Sequence, residues 1–364
     1  MNTFALAQKQ LSAAGSVACA FCLVLSVMDL CPAVRGQQID PEHGPHGNFV
    51  LGIDQKIGGA NLNPAQRPAA LALATTARDI LERDSAVASP IGFSVRVNRI
   101  FGRLTDWADF DSGLPFYAGA SGAFFEAGEK PSPTAFSHQD FAIYINAVLQ
   151  CPLMEFSPPG ANGKPWLVNG NLPVLQGGRR TGEFHGFPVY DGQCAILGRG
   201  NQPAFVPLTR EQYIRFQIQL FKDRQAKMHQ QFSGQAAPPA VQDAIASADQ
   251  QINEAIAQQE QQLASMSPAD RAAPAAVETG YEEAKLVDVD QDGAVPLSTP
   301  NSAFFDRSLP PSVIQSVAVY IPFLNDAHRA EGLPSGLPDE WMPVAAKIRD
   351  QLDWAALAAL VRQQ

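Results

Sequence analysis

Residues 116–125 read FYAGASGAFF and residues 141–149 read FAIYINAVL. Aromatic and β-branched side chains dominate both runs, and Gly, Pro or Asn bound them, which is the composition of strands. Upstream, IGFSVRV at 91–97 has the same character; downstream, PWLV at 165–168, FPVY at 187–190, CAILG at 194–198 and AFVPL at 204–208 continue it. Parallel neighbours need crossovers of a dozen residues or more, usually helical, and no long helical pattern interrupts residues 90–207. The spacing therefore predicts a mostly antiparallel sheet there. Asn162-Gly163 and Asn169-Gly170 are the expected tight turns, because glycine permits the positive φ that such turns require.

Helical patterns flank this region. Asn63-Pro64-Ala65-Gln66 combines a cap, a proline at the first helical position and a reciprocal capping residue. Leu73, Ala77, Ile80 and Leu81 then share one face before an expected end near Asp84. After the strands, Thr209-Arg210-Glu211-Gln212 forms a capping box, with Leu208 and Tyr213 placed as a hydrophobic staple. Ile214, Ile218, Phe221, Met228 and Phe232 predict an amphipathic helix over 209–232, and Lys222, Asp223 and Lys227 are free to face water. Beyond Gln235-Ala236-Ala237-Pro238-Pro239, the apolar positions Val241, Ile245, Ala248, Ile252, Ile256 and Leu263 predict a second helix over about 240–264. Two adjacent stripes across a Pro-containing break read as an antiparallel helical hairpin at 209–264. Bracing the fold, contacting a partner and self-association are its open uses.

IQSVAVYI at 314–321 reads as a further strand, and the chain from Asp339 is helical in composition, with Asp353 placed to cap a new turn. The expected class is α+β: a mostly antiparallel sheet with a helical hairpin and additional terminal helices. Residues 37–62 read as an extended lead-in, and 63–364 as a single domain.

The first 36 residues carry Lys9, an apolar run from Val17 to Met28 and small residues at Val34 and Gly36, the order of a cleaved signal peptide. A buried or membrane-anchoring helix is the competing reading, but the run is short for a span and Asp29 interrupts its end. Cleavage after Gly36 removes Lys9, Asp29 and Arg35, leaves 328 residues, and changes the formal charge from -10 to -11. That balance, without a compensating Lys/Arg cluster, excludes sequence-independent nucleic-acid binding. Stable membrane insertion is not expected after cleavage. Three of the five cysteines would leave with the peptide, so Cys151 and Cys194 are expected to form one disulfide in an oxidising compartment, two buried thiols being the alternative.

Candidate chemistry is sparse. Asp288-x-Asp290-x-Asp292-Gly293 matches the first half of a helical calcium loop, whose oxygen ligands alternate before a glycine bend. The twelfth position is Thr299 instead of the usual bidentate glutamate, and Pro296 holds the ninth, so a polar turn is the rival reading and calcium the one cofactor candidate. His43 and His46 supply two imidazoles, too few for a zinc shell. Asp106, Asp109 and Asp111 surround Trp107 and Phe110, pairing carboxylates with aromatic faces as sugar hydrolases do. His185, beside Glu183, offers an acid-base group. Gly119-Ala120-Ser121-Gly122-Ala123 lacks the spacing of a nucleophile elbow.

Two segments, PAFVPLTREQYIRFQIQLFKDR at 203–224 and TPNSAFFDRSLPPSVIQSVAVY at 299–320, resemble a widespread group of exported bacterial proteins whose function is not established. The resemblance implies bacterial origin and export, and carries over no catalytic residue. The resulting expectation is a periplasmic or secreted binding or interaction protein, its partner an envelope or extracellular protein or a small molecule. The alternative is an envelope or extracellular hydrolase using His185 with Asp106, Asp109 and Asp111.

Overall fold

A computed structural model describes residues 39–56, 62–102, 116–133, 139–148, 154–155, 167–168, 172–173, 175–200, 202–232, 238–278, 285–301, 303–321 and 337–362. The expected class holds: a mixed α+β fold built on a mostly antiparallel sheet. Residues 1–36, Cys151, Asn162-Gly163 and Asn169-Gly170 lie outside the described residues.

Eight strands form the main sheet: β1 (Phe49–Lys56), β2 (Phe93–Gly102), β3 (Tyr117–Glu126), β4 (Phe141–Ile145), β9 (Arg180–Phe184), β10 (Phe187–Tyr190), β11 (Cys194–Gly198) and β16 (Ser316–Tyr320), in the order β1-β2-β3-β4-β16-β11-β10-β9. β2 and β3 are antiparallel over ten residues each, from Phe93↔Glu126 to Gly102↔Tyr117. β16 arrives late in the chain yet takes a central place, pairing Val317 with Ile145 on one side and Ala195 with Val319 on the other. β1 is the exception in direction, running parallel to β2 with an irregularity between Leu51 and Asp54.

The parallel pair is joined through helix α1 (Arg67–Arg83) and the short helix α2 (Ser85–Ala88), making a strand-helix-strand unit at one edge. Thus the lead-in expected at 37–62 contains a strand. Asn63 caps a turn, its Oδ1 accepting from the Ala65 amide at 3.0 Å, and the α-helix proper starts at Arg67 with Pro68 in its first turn. Ala70, Leu73, Ala74, Ala77, Ile80 and Leu81 are its buried residues. At the other end of the chain, α6 (Met342–Gln351) and α7 (Trp354–Arg362) join the same core, and Asp353 Oδ1 accepts from the Ala356 amide at 2.8 Å, as a cap.

Both faces of the central strands of the main sheet are buried. Strand alternation sends Phe93, Val95, Val97, Phe141, Ile143, Ile145, Val317 and Val319 into the helix-covered core. It sends Ile100, Tyr117, Tyr144, Ile196 and Tyr320 into a second cluster with Phe205, Phe304 and Phe305. Cys194 is disulfide-bonded, and Cys151, the partner expected for it, lies outside the described residues. Cys194 belongs to the second cluster, buried with Tyr190 and Ile196.

A second, six-stranded sheet contains β5 (Met154–Glu155), β8 (Leu175–Gln176), β12 (Phe205–Pro207), β13 (Ala276–Val277), β14 (Leu286–Val287) and β15 (Val295–Pro300), and β6 (Leu167–Val168) pairs antiparallel with β7 (Leu172–Pro173). β12 pairs with β15 through Phe205↔Pro300 and Val206↔Thr299, and Asn301 Nδ2 donates to the Pro203 carbonyl at 2.8 Å. The segments 203–224 and 299–320 therefore meet in space.

Candidate functional site

The helical hairpin consists of α3 (Arg210–Phe232) and α4 (Pro239–Ser265). Its start follows the capping box: the Gln212 amide donates to Thr209 Oγ1 at 3.2 Å, and the Thr209 amide to Gln212 Oε1 at 2.8 Å. A short helix, α5 (Pro268–Ala272), capped by Ser267 and Asp270, returns the chain to the sheet. The base is then stitched by backbone bonds, from Arg210 N to the Ala273 carbonyl at 2.9 Å and from Ala275 N to the Leu208 carbonyl at 2.7 Å. Leu208, Tyr213, Phe216, Leu220, Ala275, Val277 and Leu297 form the apolar root.

Away from the root the arm changes character. All the buried residues of α3 lie between Tyr213 and Leu220, in its first half, and α4 has none. The half-buried positions of α4 include Val241, Ile245, Ala248, Ile252, Ile256 and Leu263, the stripe predicted from sequence, and its main packing neighbour is α3. At 1.5 Å per residue, a 27-residue helix is about 40 Å long.

A polar rung crosses the two helices. Gln225 Nε2 donates to Asp249 Oδ1 at 3.0 Å and reaches Asn253 Oδ1 at 3.4 Å, while His229 Nε2 lies 3.0 Å from the same Asp249 oxygen. Polar groups in an apolar helix seam specify register, because a slip would separate them from their partners. Sequence reasoning missed the rung. Its signal was available: Gln225 stands four residues after Phe221 and three before Met228, in phase with the stripe. Charge also divides between the helices. α3 carries Arg210, Arg215, Lys222, Arg224 and Lys227, whereas residues 239–265 contain Asp243, Asp249, Glu254 and Glu260 and no lysine or arginine.

The predicted site residues have other positions. Asp288, Asp290 and Asp292 are exposed on the turn between β14 and β15, where the Gln291 amide donates to the Asp288 carbonyl at 3.0 Å. Asp288 pairs with Arg210 and so ties the hairpin base to that turn. The twelfth position, Thr299, is buried and paired with Val206 in the second sheet. Among the described residues no three His, Cys, Asp or Glu side chains gather as a metal shell.

His185 and Gly186 form the two-residue loop between β9 and β10, at φ 51° and 81°. The exposed His185 ring stacks on Trp354 with centroids 5.9 Å apart and planes 11° apart. Asp106, Asp109 and Asp111 lie outside the described residues. His43 is held near Asp40, whose carboxyl pKa is lowered chiefly by the His43 backbone amide and next by that of Glu42. His46 bridges to Ile91.

Among the described residues no helix is long and apolar enough to cross a membrane. No family model, no curated protein and no solved structure matches this chain.

Proposed function

We propose that this chain is a periplasmic or secreted interaction protein, with the α3–α4 hairpin as its contact arm. One observation carries the reading: a 27-residue helix contributes no residue to the interior. Helical stability in proteins comes mostly from packing an amphipathic face, so a long helix that leaves its whole sequence partly or fully open is poorly explained by support of the core. The acidic, amide-rich surface of α4 is suited to a basic protein surface, where charge complementarity speeds encounter. The signal-peptide pattern of residues 1–36 supports the compartment. The hydrolase alternative has no comparable support, because His185 is an exposed turn residue.

Replacing residues 224–254 by a four-residue Gly/Ser turn removes the distal arm at the level of the polar rung. The thermal midpoint should stay within about 3 °C of the full chain, since roughly 2–4 °C corresponds to 1 kcal/mol for a large domain. Capture of a partner from the native envelope or secretion fraction, strong with the full chain, should disappear. Undiminished capture by the shortened protein would reject the contact-arm reading. A midpoint lowered by more than about 10 °C would instead identify the hairpin as a brace.

A further inference from the structure

The main-sheet face opposite the long helices carries a buried cation. Along β2 the side chains of Ser94, Arg96 and Asn98 alternate with Phe93, Val95 and Val97, and all six residues are buried. Arg96 is 0% exposed. Its Nη1 donates to the Ser132 carbonyl, and its Cζ lies 5.3 Å from the centroid of the Phe125 ring. Nε and Nη2 are also buried, and neither has a hydrogen-bond partner among the described residues. Those two N–H groups share one edge of the planar guanidinium, the edge that engages both oxygens of a carboxylate at once.

A guanidinium cannot escape this situation by losing its proton. Burial pulls the Arg96 pKa below its ordinary value, but arginine starts too high for neutrality to be reached. Arg99, on the same strand, shows the usual solution: its Nε donates to Asp54 Oδ1 at 2.7 Å and its Nη1 to Thr75 Oγ1 at 3.1 Å. Among the described residues no carboxylate pairs with Arg96. Asp140, a buried carboxylate at the start of β4, accepts from the Phe124 amide at 2.7 Å. Gly52 of β1 gives the arginine stem its passage, because a Cβ there would stand 3.2 Å from Arg96 Cδ and 1.7 Å from Asn98 Oδ1.

We propose that Arg96 anchors a binding site for a small monocarboxylate, whose two oxygens accept from Nε and Nη2 while Phe125 lies against the guanidinium. One buried cation is neutralised by one carboxylate, whereas a phosphate dianion would leave an excess negative charge beneath the same cover. The return segment after β3, which supplies the Ser132 carbonyl, is exposed at residues 128–130 and 132–133. Besides the Arg96 bond to Ser132, hydrogen bonds tie this segment down from Ile53 N to the Pro133 carbonyl at 3.2 Å, from Asn48 Nδ2 to the Glu129 carbonyl at 3.1 Å and from Ser94 Oγ to the Ala127 carbonyl at 3.1 Å.

The test uses the full chain with acetate, propionate and benzoate, each titrated at constant ionic strength against chloride, with inorganic phosphate as a separate arm. A ligand that binds only the folded state raises the midpoint in a saturable way. At least one carboxylate should do so, and titration calorimetry should give the same dissociation constant. Arg96→Met, which keeps stem volume without the charge, should lose at least tenfold in affinity and unfold no lower than wild type in chloride. Arg96→Lys, a point charge without the fork, should also bind at least tenfold more weakly, and serves if the methionine variant does not fold. Absence of any saturable carboxylate effect on wild type overturns the proposal, as does an equal response in either variant. A stronger response to phosphate than to every carboxylate overturns the assigned class.

Discussion

Asn146→Ala is expected to lower folding stability by about 4 kcal/mol, measured by denaturant unfolding, the sum of several lost hydrogen bonds and a strained backbone. Asn146 follows β4, is 0% exposed, and sits at φ 59°, a region that asparagine tolerates better than alanine. Its Oδ1 accepts from the amides of Gln315 at 2.7 Å and Ser316 at 3.3 Å, and its Nδ2 donates to the Val313 carbonyl at 2.9 Å. Its own amide donates to the Ser316 carbonyl at 3.1 Å. One side chain thus aligns the entry of β16 between β4 and β11. Alanine leaves buried backbone groups without partners and keeps the left-handed angle, so both costs add.

Asn146→Gly separates the two contributions. Glycine accepts the positive φ, so it should recover about 1 kcal/mol relative to alanine while the side-chain bonds remain lost. If alanine costs under about 1 kcal/mol, within the range of an ordinary surface change, the clamp does not hold β16. Hydrogen exchange gives a second readout. The amides of Gln315 and Ser316 should exchange much faster in either variant, while those of β2 and β3 follow the global change in stability.

This dependence also shows why sequence reading was uneven. The strands FPVY and CAILG were legible almost to the residue because composition and turns are local, and β10 and β11 occupy 187–190 and 194–198. The hairpin was legible for the same reason, its capping box and stripes being written within a few turns of chain. β1 was not. Leu51 and Ile53 are each 45% exposed on an edge strand interrupted by a register shift, so there is no clean alternation to find. Missing that strand also hid the parallel pair, although its crossover helix was recognised. The central place of β16 depends on contacts across some 170 residues, including Asn146 Oδ1 to the Ser316 amide, which no local pattern contains.

The candidate chemistry divides along the same line. Asp288-x-Asp290-x-Asp292 has a ligand-like spacing, but spacing alone does not converge side chains, and the strand claims Thr299 before a loop could close. Arg96 was passed over because it interrupts IGFSVRV like any polar residue on an open strand face. Only the second covered face turns an ordinary alternation into a buried charge with an unfilled fork. The helical hairpin shows the opposite relation: its stripe was visible, but the root that confines burial to one end depends on Ala275, Val277 and Leu297, distant in sequence from Tyr213.

Acidification from pH 7 to pH 4 should increase the contribution of Asp84 to stability, and Asp84→Asn should remove that dependence. Asp84 ends α1 and caps α2, its Oδ1 accepting from the Ala86 amide at 2.8 Å, while its buried Oδ2 has no hydrogen-bond partner among the described residues. Desolvation raises its pKa from 3.8 to about 6, against the opposing backbone bonds from Ala86 and Val87. Between those values the folded chain holds a proton that the unfolded chain has released. Stability from this group is therefore fully present below pH 3.8 and lost as pH rises through about 6. The shift corresponds to about 3 kcal/mol, at 1.36 kcal/mol per pKa unit. Asparagine keeps the capping oxygen and removes the charge, so Asp84→Asn should be more stable than wild type by about 2 kcal/mol at pH 8 and nearly equal to it at pH 4. Alanine loses the cap as well and should fall below asparagine by about 1 kcal/mol at both pH values. The wild-type-minus-variant difference isolates this group from the exposed carboxylates that titrate in the same range. A difference independent of pH between 4 and 8 would contradict the buried-carboxylate account, because an ionised group that costs nothing to bury has no reason to bind its proton early.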